Sequence, residues 1–418
     1  MSCGPACQSC DRPIPTGLWS VLADEGFRLF FTLGAVYAAL SPFLWVLAFG
    51  LDLPFATTVP PQLWHGHEML VGAFGAALIG FLTTAAPEWT DTSPIRGRGL
   101  WLLAALWLAG RAGGLTGWDG PGTAGAVADL AWMSVLLVYL LKLSWRQRTD
   151  RLLAFALWLA ILIACTLSVR IGFWNGHVEF AARALHLVGL AYLGLLGLAL
   201  SRISVPVTNH ILDPSEATSP FRPHPGRLNL APGLVFVAMA GDIAGLSPGV
   251  SGFLLMAAGA AFVDRVAEAF IGRAAFQSEI LMLAGSSAFA GTGLMLAGAA
   301  RLGAPWAEVT GLHLAFLGGL GLGVYSVYCI AGKLHSGQAL GQSRWVRLGA
   351  LCLCLSAFLR VAPDFGLDLP GPYHGIAVSL WSMSFCLWLV SFWPYLSRME
   401  AGPPDSSPAG STRDAKAA

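Results

Sequence analysis

Nine histidines stand in a chain of 418 residues that has only 24 Lys plus Arg and 23 Asp plus Glu. A neutral imidazole holds iron or copper and shuttles protons near neutral pH. Four of the nine, His65, His67, His186 and His313, fall in or beside strongly apolar sequence, where an ionisable group is costly and needs a reason. His65 and His67 form a His-x-His pair in WHGHEM. Residues two apart on a regular helix diverge by about 200°, so the pair serves one site only at a helix mouth; otherwise the two are interfacial polar groups. Arg111, Arg170, Arg183 and Arg360 offer forked donors for the acidic groups of a cofactor, or else snorkel to lipid headgroups. Snorkelling is the expectation for Arg170 and Arg360. Arg111 and Arg183 lie deeper in their segments and are expected to find partners inside the protein, Asp129 being the candidate for Arg111.

Something must carry these side chains, and composition limits what. Only 11% of the residues are charged and 56% are hydrophobic, against about 25% charged in a soluble domain. Apolar stretches of bilayer-spanning length recur from end to end. They predict twelve spans: Phe27–Gly50, Glu68–Ala86, Gly99–Leu115, Gly122–Leu143, Leu152–Phe173, Phe180–Leu200, Leu230–Leu246, Val250–Glu268, Glu279–Ala300, Val309–Gly332, Trp345–Val361 and Ile376–Leu396. The fold class is therefore all-α, a polytopic membrane helical bundle with about 12 transmembrane helices and membrane lipid as its surroundings. Lys and Arg collect after the even-numbered spans (Arg96 and Arg98; Lys142, Arg146, Arg148 and Arg151; Arg202, Arg222 and Arg227; Arg265 and Arg273; Lys333, Arg344 and Arg347). By the positive-inside rule these loops and both termini are cytoplasmic. Residues 1–26 read as a polar Cys-containing leader with no signal-peptide core, 27–397 as the membrane domain and 398–418 as a disordered tail. A net charge of +1 without a basic block excludes nucleic acid as a partner.

This topology sorts the histidines into two layers. His65, His67, His186 and His313 lie toward the outer face on spans 2, 6 and 10, with His177 and His374 just outside spans 6 and 12; His210, His224 and His335 are cytoplasmic. His313 and His335 are 22 residues apart, about 33 Å of helix, so the layers cannot share one metal. His67, His186 and His313 stand at comparable depth on helices spaced by four, hinting at three four-helix units. They are expected to meet around one cofactor, for which haem or copper is suited. The competing reading makes each an interhelical hydrogen-bonding group. On the inner side, His210 and His335 are either ordinary interfacial residues or a second, copper-binding site. Cys3, Cys7 and Cys10 are either a thiol trio able to pass Cu(I) or an unstructured reduced leader.

The stretches FRLFFTLGAVYAAL, LWHGHEMLVGAFGAALIGFLTTAAPEWT, RGRGLWLLAALWLAGR and GLHLAFLGGLGLGVYSVYCIAGKLHSG resemble the NnrS family of polytopic membrane proteins, over about Phe27 to Tyr395. That resemblance implies a haem- and copper-containing protein of the bacterial inner membrane, associated with denitrification and the response to nitric oxide. His65 and His67 match the family's His-x-His-Glu entry to span 2, and His313 matches the histidine opening span 10. His335 matches its His-Thr-Gly, here His335, Ser336 and Gly337, with Lys333 standing near where the family often has Arg. His210 ends a stretch, SRISVPVTNH, that is similar to the family segment after span 6. The resemblance assigns no axial ligand.

The expected function is thus binding of nitric oxide, or protection against nitrosative stress, within the membrane. A distant relative of the haem-copper oxidases or nitric oxide reductases is the alternative. Against it, span 7 lacks a histidine pair and no C-x-x-C-H haem-attachment motif occurs, so no electron donor is indicated. A secondary transporter is a further class, for which Asp129 and Asp242 are the only coupling candidates.

Overall fold

The computed structural model describes residues 15, 17–51, 59–116, 119–367 and 371–399. Cys3, Cys7 and Cys10 and the tail from Ala401 lie outside the described residues. All regular structure among those described is helical. After a short helix, Leu18–Leu22, the chain runs through α1 (Gly26–Leu51), α2 (Pro61–Trp89), α3 (Arg98–Thr116), α4 (Asp119–Gln147), α5 (Leu153–Trp174), α6 (Val178–Leu212), α7 (Arg227–Ile243), α8 (Pro248–Asp264), α9 (Ser278–Arg301), α10 (Glu308–Leu334), α11 (Arg344–Val361) and α12 (Tyr373–Leu396). Helices satisfy their own backbone groups, which is what hydrocarbon demands.

Ten of these helices are long and apolar enough to cross a membrane, against the twelve spans expected. The two that fall short are α3, diluted by Arg98 and Arg111, and α7, a 17-residue helix holding Arg227 and Asp242. In both, charge displaces the apolar residues that a span requires; Arg111 and Asp242 are paired within the protein.

The helices are not equivalent. In α2, α6 and α10, 89%, 83% and 78% of the most apolar stretch is buried, against 39–61% in the other candidate spans. These three form the heart of the bundle, and they are the helices that carry His65, His67, His186 and His313. The α2 and α6 helices bring Phe74, Ile79, Leu82, Val188, Leu190 and Leu193 into one continuous core with Leu320 and Tyr328 of α10.

Close approach is bought with small residues. Gly252 and Gly259 of α8 face Gly298 and Gly291 of α9, and a Cβ at Gly259 would stand 2.5 Å from the Gly291 carbonyl oxygen. No side chain fits there, so the two backbones touch directly, the contact by which helices associate where no hydrophobic force separates protein from lipid. At its C-terminal end, α6 runs on past Pro206 to Leu212. There Asp213 accepts from the Ser215 and Thr218 hydroxyls and the Thr218 N–H, which holds its carboxyl down at about 2 and turns the chain.

Candidate functional site

Two helices change their winding beside a histidine. In α2 the α-helical turns end at His67 and π-helical turns run from Glu68 to Phe74. In α10 they end at His313, and π-helical turns run from Leu314 to Gly321. Single π-turns are rare and gather at functional sites because the extra residue per turn re-aims side chains. Both histidines therefore occupy the last α-helical position before a widened stretch, on two of the three innermost helices.

His67 is buried, with 2% of its surface exposed. Its Nδ1 lies 3.1 Å from Glu68 Oε1. An ionised carboxylate only accepts, so Nδ1 carries the proton and Nε2 keeps its lone pair, and Nε2 meets no hydrogen-bond partner in the protein. Tyr37 donates its hydroxyl to the other Glu68 oxygen, and Arg111 Nη1 stands 3.2 Å from it. The other Arg111 terminal nitrogen donates to both oxygens of Asp129, at 2.6 and 2.7 Å. Asp129 also accepts from Arg170 at 2.9 Å and from the Trp132 indole at 3.2 Å. Two carboxylates and two guanidiniums are thus strung across α2, α3, α4 and α5, all of them buried. Burial of any one charge alone is prohibitive, and the set is tolerable only because its charges cancel.

His313 repeats the pattern. Its Nδ1 lies 2.8 Å from the Val309 carbonyl oxygen; a carbonyl only accepts, so Nδ1 donates and Nε2 is again left as a lone pair. Arg360 faces His313, His65 and His374 together. His65 in turn lies against the Trp45 ring, centroid to centroid 5.0 Å.

His186 sits elsewhere. Its Nε2 is 3.4 Å from Asp242 Oδ2 and its Nδ1 3.8 Å from Glu308, and Arg301 bridges the same two acids at 2.5 and 2.8 Å. This network ties α6, α7, α9 and α10 together. His67, His186 and His313 thus each have their own hydrogen-bonding partners, and among the described residues no direct contact joins the three.

Two expectations are corrected. Arg183 is exposed rather than paired inside the bundle. Arg170, expected to reach for headgroups, is buried on Asp129. Arg111 does find Asp129. His210 lies 3.2 Å from Glu216, and His335 lies 3.3 Å from Glu88 and 5.4 Å from the Phe27 ring, so these two are held by different acids. Arg301 and Glu308 are not singled out by the sequence reading; the available signal was a pair of opposite charges flanking the short turn between α9 and α10.

A family model described as NnrS protein matches residues 21–399. The chain belongs to the NnrS family. No curated protein matches it. The NnrS match takes in every histidine from His65 to His374 and both π-helical stretches. The family's association with haem and copper meets a donor set that fits. Buried His67 offers an unpartnered Nε2 whose ring is already oriented by a carboxylate, the arrangement in which metal-bound histidines are commonly held. His313, half-buried, likewise has its Nδ1 committed, to a backbone carbonyl. Among the described residues, no group of three or more His, Cys, Asp and Glu side chains is arranged to hold a metal ion. The described cysteines, Cys165, Cys329, Cys352, Cys354 and Cys386, supply no thiolate cluster.

Proposed function

We propose that this NnrS-family chain is a haem protein of the bacterial inner membrane, with copper as a second metal, that binds nitric oxide in denitrification-linked metabolism or protects against it. The observation that carries the reading is buried His67, whose Nδ1 is committed to Glu68 and whose Nε2 has no partner. A lone pair left unmade in an apolar interior costs about 1–3 kcal/mol, and an iron atom is a partner that would recover it. His67 and His313 are the residues assigned to hold haem through Nε2, with His65, His374 and Arg360 at the mouth beside His313, where a guanidinium suits a propionate. Bound haem supplies an iron centre able to take up a diatomic gas. The protein's part is to orient the two imidazoles, exclude water and keep four buried charges neutral in sum around them.

The same reading takes all twelve helices as membrane-crossing, with both termini in the cytoplasm. On that view α3 and α7 cross because Arg111 and Asp242 are neutralised by neighbours rather than by water. A transporter is less well supported, since both coupling candidates are already committed, Asp129 to two arginines and Asp242 to Arg301.

An optical spectrum of the purified chain tests this. The expected result is a Soret band that shifts on adding nitric oxide. It should be lost or strongly altered in His67→Ala and His313→Ala and retained in His186→Ala. Protein free of haem after expression in a haem-replete host would overturn the proposal.

A further inference from the structure

Between α2, α5, α6 and α10, on the inner side of the π-helical stretches, the packing leaves a cavity of about 60 Å³. Its wall includes Phe74, Ala77, Tyr192, Leu196, Ala199 and Leu320 and is almost wholly apolar. The space is half open rather than sealed, and its volume is several times what a single water needs. A buried water also requires two to four polar partners. The wall offers too few. The Tyr192 hydroxyl lies against Gly75, on the side of Arg111 and Asp129, and the Tyr328 hydroxyl is turned away against Gly34 of α1. The space is kept open by alanines at Ala77 and Ala199, where any larger apolar residue would fill it. Phe81, Val324 and Val327 border it and are only half-buried, so a route leads in from the inner half of the bundle.

We propose that this cavity is a docking site for one small uncharged molecule of the diatomic-gas class, its wall too apolar for water to compete. Such a molecule partitions into lipid, and dry apolar cavities take up xenon and similar guests. Nitric oxide as the physiological occupant rests on the function proposed above; the affinity of the cavity for an apolar atom does not.

The probe is xenon, applied under pressure to crystals of the full chain grown in a lipid phase. The expected result is an anomalous-scattering peak between Phe74, Leu196 and Leu320, lost in Ala77→Leu and, independently, in Ala199→Leu. A cavity that stays empty under xenon, or holds an acyl chain or ordered water, overturns the proposal, as does a peak that persists in a filled variant that folds. Xenon in the cavity of a protein with no haem–nitric oxide spectrum would remove the function and leave the docking site standing. A clear nitric oxide shift with no xenon would do the reverse.

Discussion

At the residue scale the chain gathers four buried charges into one string, Glu68–Arg111–Asp129–Arg170, behind His67. Arg111 is its centre, touching both acids. Arg111→Gln is expected to cost about 3–5 kcal/mol, the penalty for leaving a buried charge unpaired, seen as a lowered thermal midpoint in detergent. Arg111→Gln with Asp129→Asn should cost less than the sum of the two single changes, because the second change removes the charge that the first left stranded. Additive losses would mean that the four groups do not act as a unit. His210 and His335 answer to different acids. Changing both to Ala is expected to leave the haem spectrum and the copper content unchanged. A selective loss of copper on metal analysis would instead place a second site there.

At the element scale, two features decide where the histidines point: π-helical stretches in α2 and α10, and glycine contacts that let helices close on one another. The Gly259–Gly291 contact leaves no room for a side chain, so Gly259→Val must push α8 from α9. The change is expected to destabilise by about 1–3 kcal/mol, the usual cost of overpacking. Read by thermal unfolding, it should exceed the effect of Gly233→Ala on α7, where nothing lies within reach of an added Cβ. Equal effects would argue that α8 and α9 do not meet through these glycines. None of this is visible as periodicity. Glycines such as those of GAFGAALIG read only as close packing somewhere, and the onset of π-winding after His67 and His313 has no local sequence mark, since it reflects how each helix fits its neighbours.

At the scale of the whole molecule, the loop charges predict a topology that can be checked directly. A reporter fused after Ala401 is expected to be active only as a cytoplasmic one, and a reporter inserted between Asp119 and Gly122 only as a periplasmic one; the opposite pair would place every histidine on the wrong side. The sequence by itself determined the all-helical membrane class and the order of the helices, because bilayer thickness and the cost of exposed backbone act on any apolar stretch regardless of its neighbours. It also carried the family resemblance and the pairing of Arg111 with Asp129, opposite charges that had to meet somewhere in an apolar interior. Only the tertiary structure decided which histidines stay unpartnered. It drew Arg170 inward to Asp129, left Arg183 exposed, locked His186 between Asp242 and Glu308, and kept Nε2 of His67 free. Depth is set along a helix axis by its own residues, but rotation about that axis is set by what packs against it.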